Sequence, residues 1–258
     1  MGILNVTPDS FSDGGRFTRI DKAITQAEKM VEEGATIIDV GGESSRPGAD
    51  PVSKEEEAKR VLPVIRLIVK KFPKTPVSID SYKPEVTLAA MEEGAAMIND
   101  ITGLRDTKMM EVAARFNAPV VIMHMKGTPQ TMQKRPAYKN VTLDIATFFK
   151  ERIKTCSKNG IDKIVVDPGI GFGKTVNHNL QIINRLDEFA KLGRPVMIGH
   201  SRKSFIGKIL GDESTERETA TAAITAMAVK NGASIIRIHN VLANRQAAMI
   251  ASAVRGVG

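Results

Sequence analysis

Residues 36–80 have the sequence TIIDVGGESSRPGADPVSKEEEAKRVLPVIRLIVKKFPKTPVSID, in which two short apolar segments enclose a longer amphipathic one. The two end segments are β-branched and almost continuously apolar, as strands buried on both faces of a parallel sheet are. Between them, Ser53 and Glu56 have the spacing of a helix start, and Pro63 is expected to kink the helix or to mark its true beginning. The stretch therefore predicts a strand, a helix and a second strand in succession.

The same alternation continues along the whole chain. Eight segments have the composition of buried strands, at 2–5, 36–40, 76–80, 96–100, 119–124, 163–167, 195–199 and 234–239. Helical patterns follow them, at 18–33, after Ser53, and at 84–93, 107–116, 142–159, 177–191, 215–231 and 241–254. This order predicts an α/β fold, a (β/α)₈ TIM barrel with a parallel eight-stranded barrel and outer helices, with a doubly wound open sheet as the alternative. Residues 1–258 contain no linker-like segment and are expected to form one domain.

Composition limits the class of protein. With 42% hydrophobic and 26% charged residues, the chain has the balance of a soluble globular protein, and no apolar run approaches the roughly 18 residues of a membrane span. A single cysteine, Cys156, excludes an intrachain disulfide, and no secretory signal is visible, so a cytoplasmic location is expected. The net charge of +8 fits either an anionic small substrate or a solubilising surface. Scattered basic residues and scarce Tyr and Trp argue against nucleic-acid binding.

Nearly every predicted strand ends in a polar or ionisable residue. Barrel enzymes keep their active sites at the carboxyl ends of the strands. The residues at these ends are Asn5, Asp39, Asp80, Asn99, Asp100, His124, Asp167, His200, Ser201, Arg237 and His239. One such residue alone could cap a helix, whereas eight strand ends converging on one rim predict a functional site.

The residue types indicate a heterocycle that carries phosphate. Asp and Asn side chains can pair with the donors and acceptors of a ring, while Arg and His suit phosphate oxygens. Lys203 follows the seventh strand, where barrels often bind phosphate. The glycine-rich turn DPGIGFGK, residues 167–174, lacks the spacing of a P-loop. No His/Cys or His/Glu cluster has the spacing of zinc ligands. Mg²⁺ carried by a polyphosphate and contacted by Asn5 fits the sequence better than zinc does.

Eight motifs, in order from residue 1 to about residue 241, resemble those of the dihydropteroate synthases. They are MGILNVTPDSFSDGG, IIDVGGESSRPGA, SIDSYKPEV, MINDITG, MHMKGTPQTMQ, VDPGIGFGKT, SRKSFIGK and IIRIHNV. The resemblance implies a TIM barrel, commonly a homodimer. It also implies a transferase of folate biosynthesis that joins p-aminobenzoate to 6-hydroxymethyl-7,8-dihydropterin diphosphate, releases pyrophosphate, uses Mg²⁺ and is the target of sulfonamides.

The resemblance also implies a role for individual residues. The pterin-binding set is Asp39, Asp80, Asn99, Asp167 and Lys203, with Asp39 in a supporting place. The pyrophosphate-binding set is Arg46, Arg237 and His239, and the Mg²⁺ contact is Asn5. The p-aminobenzoate pocket is Phe11, Ser45, Pro47, Ser201 and Lys203. The catalytic residues are Asp13, Arg46 and Lys203, and Asp13 is expected to face a pterin-methyl cation from a closing loop at Thr7–Gly15.

Some positions depart from the family pattern. Ser45 stands where Thr is usual, and Asn240 stands where Asp is common. The family normally has residues before the first strand, so an N-terminal segment is expected to be missing here. Two alternatives remain: a methyltetrahydrofolate:corrinoid methyltransferase, which would need no diphosphate ligands, and a catalytically silent pterin-binding paralogue. The motifs ESSRPG and SRKS favour the synthase.

Overall fold

The computed structural model describes residues 1–7, 16–45, 48–134, 136–211 and 216–257. The strands are β1 Gly2–Asn5, β2 Ile38–Gly41, β3 Val77–Asp80, β4 Met97–Asp100, β5 Val120–Met123, β6 Ile164–Asp167, β7 Met197–Ile198 and β8 Ile235–Ile236. The helices are α1 Arg16–Glu32, α2 Lys54–Lys71, α3 Pro84–Glu92, α4 Thr107–Arg115, α5 Val141–Lys158, α6 Val176–Asn184, α7 Leu186–Ala190, α8 Ser204–Leu210, α9 Glu218–Lys230 and α10 Val241–Arg255. Each predicted strand is present.

The strands close into a parallel barrel. Strands β1 to β6 pair in chain order, and β7 pairs with β8. Single parallel bridges, Val166 with Val196 and Gly2 with Ile238, join the two groups on both sides. The predicted (β/α)₈ barrel is confirmed, and the open-sheet alternative is wrong because an open sheet would leave β1 and β8 apart.

Two features of the helices differ from the sequence prediction. The helix predicted at 177–191 is interrupted at Arg185, whose backbone leaves the helical region at φ −121° and ψ 33°. This break lets α7 turn Leu186 and Phe189 into the core, where both are fully buried. Helix α8 was not predicted, because SRKSFIGK was interpreted as a site loop. Helix α2 begins after Ser53, as the spacing of Ser53 and Glu56 predicts, and the Ser53 hydroxyl accepts from the Glu56 amide; Pro63 lies inside the helix and does not mark its beginning.

Alternation along the strands separates the core from the site. On β2, Ile38 and Val40 belong to the large cluster between barrel and helices, whereas Asp39 between them is on the opposite face. A smaller apolar cluster, formed by Met97, Val121, Val165 and Met197, fills the barrel below the site. The inward positions nearest the carboxyl ends are polar, so the sequence pattern itself places charged side chains at the barrel mouth. None of the helices described is long and apolar enough to span a membrane.

Candidate active site

A cavity of about 330 Å³ lies at the carboxyl ends of the strands. Its lining combines carboxylates, amides, cations and apolar side chains: Ser45, Asp80, Asn99, Ile101, Met123, Asp167, Gly169, Ile170, Phe172, Gly199, Lys203 and Arg237. Six of the residues predicted from the sequence as site residues are in this lining. The structure thus brings residues from the loop after β2 and from strands on both sides of the barrel to one cavity.

Arg237 joins two carboxylates across the mouth of the barrel. Its Nε donates to Asp39 Oδ2 at 2.6 Å, and its Nη2 donates to Asp80 Oδ2 at 2.5 Å. The Asn99 amide also donates to Asp39 Oδ2, at 3.1 Å. We call these four residues the floor cluster. Two bonds from one planar guanidinium hold Arg237 in a fixed orientation, and a fixed cation can recognise a ligand without reorganising.

The floor cluster has an unusual electrostatic balance. Burial raises the pKa of Asp80 to about 7, although Arg237 opposes the shift, and the nearby Asp39 adds to it. The buried Asp39 Oδ1 has no hydrogen-bond partner among the described residues. Two close carboxylates that share one cation leave capacity for further donors. The cluster can therefore accept hydrogen bonds from a ring that carries amino or imino groups.

Asp167 faces the same cavity from the end of β6. Its Oδ1 accepts from the Gly169 amide at 2.7 Å, which fixes the carboxylate. Burial raises the pKa of Asp167, and the positive charges of Arg237, Lys203 and Lys174 work in the opposite direction. This carboxylate is thus a second buried acceptor beside the floor cluster.

A cation and an aromatic ring meet on the other side of the cavity. The Lys203 ammonium lies 4.1 Å from the centroid of the Phe172 ring. Two residues before Lys203, the Ser201 hydroxyl is 2.8 Å from His239 Nδ1 and accepts from the His239 amide at 3.2 Å. Ser201 therefore orients the His239 imidazole at the rim of the cavity.

Helix α9 supports the segment that carries Ser201 and Lys203. His200 is fully buried, and its Nε2 lies 3.1 Å from Thr221 O and 2.9 Å from Thr225 Oγ1. The Arg202 amide donates to Thr221 Oγ1 at 3.3 Å. Burial lowers the pKa of His200 to about 4, so this imidazole is neutral at physiological pH.

A charged cluster holds the loop after β2. Lys83 Nζ donates to both Glu43 and the buried Glu57, and the Tyr82 hydroxyl donates to Glu43 at 2.8 Å. Glu43 also accepts from the Val52 amide at 3.2 Å, which joins the two ends of the loop. A second cavity of about 280 Å³ lies here, lined by Glu43, Ser45, Glu57, Asp80, Ser81, Tyr82, Ile101 and Pro129. Sequence reasoning missed this cluster, although Glu43 and Lys83 lie in two of the quoted motifs.

The remaining predicted site residues fall into two groups. Asn5 ends β1 and pairs in register with Gly41, so it lies at the rim. Phe11, Asp13, Arg46 and Pro47, together with most of the predicted closing loop, lie outside the described residues. Within the described ranges, no group of three or more His, Cys, Asp or Glu side chains could hold a metal ion. The Mg²⁺ contact of Asn5 stays a prediction.

Sequence reasoning also missed Lys174 and the apolar lining. Lys174 is 4% exposed and lies under the turn that carries Phe172. A lysine at the end of a glycine-rich segment is ordinarily read as a surface residue, so the sequence held no signal of its burial. Ile101 and Met123 line the cavity at or just after strand ends, and their apolar character hid them among core residues.

Comparisons with known proteins agree with this geometry. The family described as pterin binding enzyme matches residues 1–239. The dihydropteroate synthase of Haemophilus influenzae is 48% identical over 245 residues, which cover 94% of this chain and 89% of that protein. The Yersinia pestis dihydropteroate synthase in a sulfonamide drug complex has a TM-score of 0.93 at 42% identity, covering 99% of this chain and 94% of that one. The Xanthomonas albilineans dihydropteroate synthase with 4-aminobenzoic acid has the same TM-score and identity, covering 100% and 93%.

Proposed function

This chain belongs to the pterin-binding enzymes, among the dihydropteroate synthases, and we propose how the residues at its barrel mouth carry out the synthase reaction. It is a transferase of folate biosynthesis that condenses 6-hydroxymethyl-7,8-dihydropterin diphosphate with p-aminobenzoate to 7,8-dihydropteroate and pyrophosphate. The methyltransferase alternative is disfavoured because the relative in Haemophilus, matched over 94% of this chain, is a synthase. Sulfonamides are expected to compete with p-aminobenzoate.

The observation that carries the proposal is the floor cluster with Asp167 beside it. Asp80, Asp167 and the Asn99 carbonyl accept from the amino and ring N–H groups of the pterin, and Lys203 donates to its carbonyl oxygen. The acceptors are held before the substrate arrives, Asp80 by Arg237 and Asp167 by the Gly169 amide. A pre-arranged site spends little binding free energy on ordering its own side chains.

The diphosphate is bound at the rim above the pterin. Arg237 has N–H groups beyond those it gives to Asp39 and Asp80, and they can meet phosphate oxygens together with His239 and Arg46. The Asn5 side-chain oxygen is a hard donor of the kind Mg²⁺ prefers. With no acidic cluster among the described residues, Asn5 fits an ion that takes its other ligands from the diphosphate and water. Bound Mg²⁺ would neutralise charge on the leaving pyrophosphate.

The arylamine is bound on the other side of the cavity. Ser45 and Lys203 line it, Ser201 lies two residues before Lys203, and Phe11 and Pro47 complete the proposed pocket. Pyrophosphate leaves first, and Asp13 stabilises the pterin-methyl cation until the amine attacks. Asp13→Ala is expected to lower kcat more than it lowers pterin affinity. A variant with a pure binding defect would contradict this role.

The test is product formation from both substrates. Purified protein is expected to form 7,8-dihydropteroate, with pyrophosphate as the second product, only when pterin diphosphate and p-aminobenzoate are both present. Lys203→Ala is expected to lower the rate at least about tenfold, because a charged partner of the substrate is lost. Lys163→Ala is the matched control. Lys163 is exposed, lies just before β6 and donates to the Asn117 carbonyl. Intact pterin binding without turnover in the unaltered protein would refute the function.

The homodimer is also a proposal. Exposed large apolar side chains gather on the packed pair α9 and α10: Met227, Leu242, Met249, Ile250 and Val254. Burial of such a patch against a second copy would remove it from water. Sedimentation equilibrium is expected to give a dimer, and Ile250→Glu is expected to weaken it. A monomer at micromolar concentration would contradict the proposal. The cytoplasmic location stays a prediction.

A further inference from the structure

The glycine-rich turn after β6 lies in close contact with two other parts of the site. Gly169, Gly171 and Gly173 all have positive φ. A Cβ on Gly169 would lie 2.1 Å from His124 O, one on Gly173 would lie 2.9 Å from Lys126 O, and one on Gly171 would lie 3.1 Å from Lys203 Cδ. The turn therefore passes against the loop after β5 on one side and against Lys203 on the other.

Three successive carbonyls of this turn each accept from a side chain. Gln133 Nε2 donates to Gly171 O at 2.8 Å, Lys174 Nζ donates to Phe172 O at 2.9 Å, and the Tyr138 hydroxyl donates to Gly173 O at 2.9 Å. Regular structure would satisfy these carbonyls with backbone amides. Here side chains replace those amides, so the position of the turn depends on side chains.

Lys174 is the buried member of this set. Besides Phe172 O, its Nζ meets His124 O at 3.3 Å and His124 Nδ1 at 3.2 Å, and these three acceptors match the three hydrogens of an ammonium group. Burial lowers the pKa of Lys174 to about 7 and that of His124 to about 3. His124 is therefore neutral and can accept. A buried amine is costly to folding, which favours a role in the site over one in stability.

We propose that Lys174 is a positioning residue for the arylamine half of the active site, acting by fixing the Phe172 backbone so that the Phe172 ring stays against the Lys203 ammonium. The inference rests on the proposed function. Phe172 and Lys203 both line the cavity, but they come from different loops, after β6 and β7. The bond from Lys174 to Phe172 O sets where the ring lies relative to Lys203. On the pterin side, the Asp167 carboxylate is positioned by the Gly169 amide and not by Lys174, whose charge acts on Asp167 only from a distance, so we expect a smaller effect there.

The test compares the effect of a Lys174 variant on p-aminobenzoate with its effect on the pterin substrate. Lys174→Met keeps the length of the side chain and removes its donors. The expected result is a KM for p-aminobenzoate raised about tenfold, with kcat changed less than about threefold and pterin affinity within about twofold. Lys163→Met is the matched control, because Lys163 is an exposed lysine that donates to Asn117 O at the opposite end of β6 from the turn. An unchanged KM, or equal losses for both substrates, overturns the proposal.

A second variant keeps the test decisive if Lys174→Met does not fold. Tyr138→Phe removes only the donor to Gly173 O, and it is expected to raise the same KM about twofold to threefold. If Lys174→Met is unfolded and Tyr138→Phe leaves that KM unchanged, the proposal is wrong. Calorimetric titration with p-aminobenzoate reports binding without turnover. Loss of binding in Lys174→Met, with no pyrophosphate release by the unaltered protein, would refute the proposed function and leave the positioning role standing.

Discussion

His200→Gln is expected to make the protein less sensitive to acid. His200 is fully buried, and its Nε2 binds Thr221 O and Thr225 Oγ1. A glutamine amide can keep a donor near Nε2 and does not titrate. Burial lowers the pKa of His200 from 6.5 to about 4. A folded-state pKa below the unfolded value means that stability is fully present above pH 6.5 and is lost as pH falls towards 4.

The magnitude follows from linkage. Each pH unit inside this window costs about 1.4 kcal/mol, so the fall from pH 7 to pH 5 removes about 2 kcal/mol through His200 alone. Asp80 acts in the opposite direction, because its pKa is raised from 3.8 to about 7 and its protonation favours the folded state as pH falls. His124 adds a loss of its own, since its pKa is lowered to about 3. The prediction therefore concerns the difference between variant and unaltered protein.

The assay is urea denaturation of both proteins at pH 7 and pH 5. The free energy of unfolding of His200→Gln is expected to fall by about 2 kcal/mol less than that of the unaltered protein between the two pH values. His178→Gln is the matched control: His178 is partly exposed at the start of α6, where partial burial lowers its pKa, and its replacement is expected to change the loss between pH 7 and pH 5 less than that of the fully buried His200. Equal losses in His200→Gln and the unaltered protein would show that His200 is not held neutral by burial.

Three further predictions concern the turn, the loop after β4 and the floor cluster. In urea denaturation, Gly169→Ala is expected to lower the free energy of unfolding by about 3 kcal/mol more than its control Gly193→Ala. Both glycines have a φ of +70°, but only at Gly169 would the added Cβ lie 2.1 Å from a carbonyl oxygen, that of His124. Asp100→Ala is expected to cost about 2 kcal/mol in the same assay, since its carboxylate accepts from the Thr102 and Leu104 amides; no loss would contradict that role. Arg237→Ala is expected to lower pyrophosphate release at least about tenfold, and near-normal kinetics would count against the floor cluster.

Much of the fold could be predicted because short buried strands have a strong local signal. The segment TIIDV is apolar on both sides of Asp39, and in the structure Ile38 and Val40 are buried outside the barrel while Asp39 faces its mouth. A polar residue at or near the end of an apolar strand likewise predicted Asp80 and Asn99 as site residues, and in the structure they pair in register on β3 and β4. Where a polar residue interrupts an apolar strand near its end, both the strand and the site are visible in the sequence.

The rest could not be predicted because it depends on contacts between distant segments. Lys174 is buried by residues from the loop after β5, 50 positions earlier in the chain, and no local pattern records that contact. The break at Arg185 arises because Leu186 and Phe189 must reach the core, which the helical spacing of 177–191 does not reveal. The first helix begins at Arg16, two residues before the start of the predicted range 18–33. Tertiary packing overrode local preference at Lys174 and at the break at Arg185.

The closure of the barrel has a consequence for its internal motions. Strands β7 and β8 have two residues each, and among the described residues one bridge with its few backbone hydrogen bonds joins this pair to β6 and one joins it to β1. Their amides are therefore expected to exchange with deuterium faster than those of β2 to β5. Arg237, just after β8, donates hydrogen bonds across the mouth to Asp39 on β2 and Asp80 on β3. It thereby links these two short strands to the opposite side of the barrel. A ligand that contacts both sides of the mouth would protect these amides from exchange, so substrate binding would be detectable as slowed exchange in two short strands that border the site.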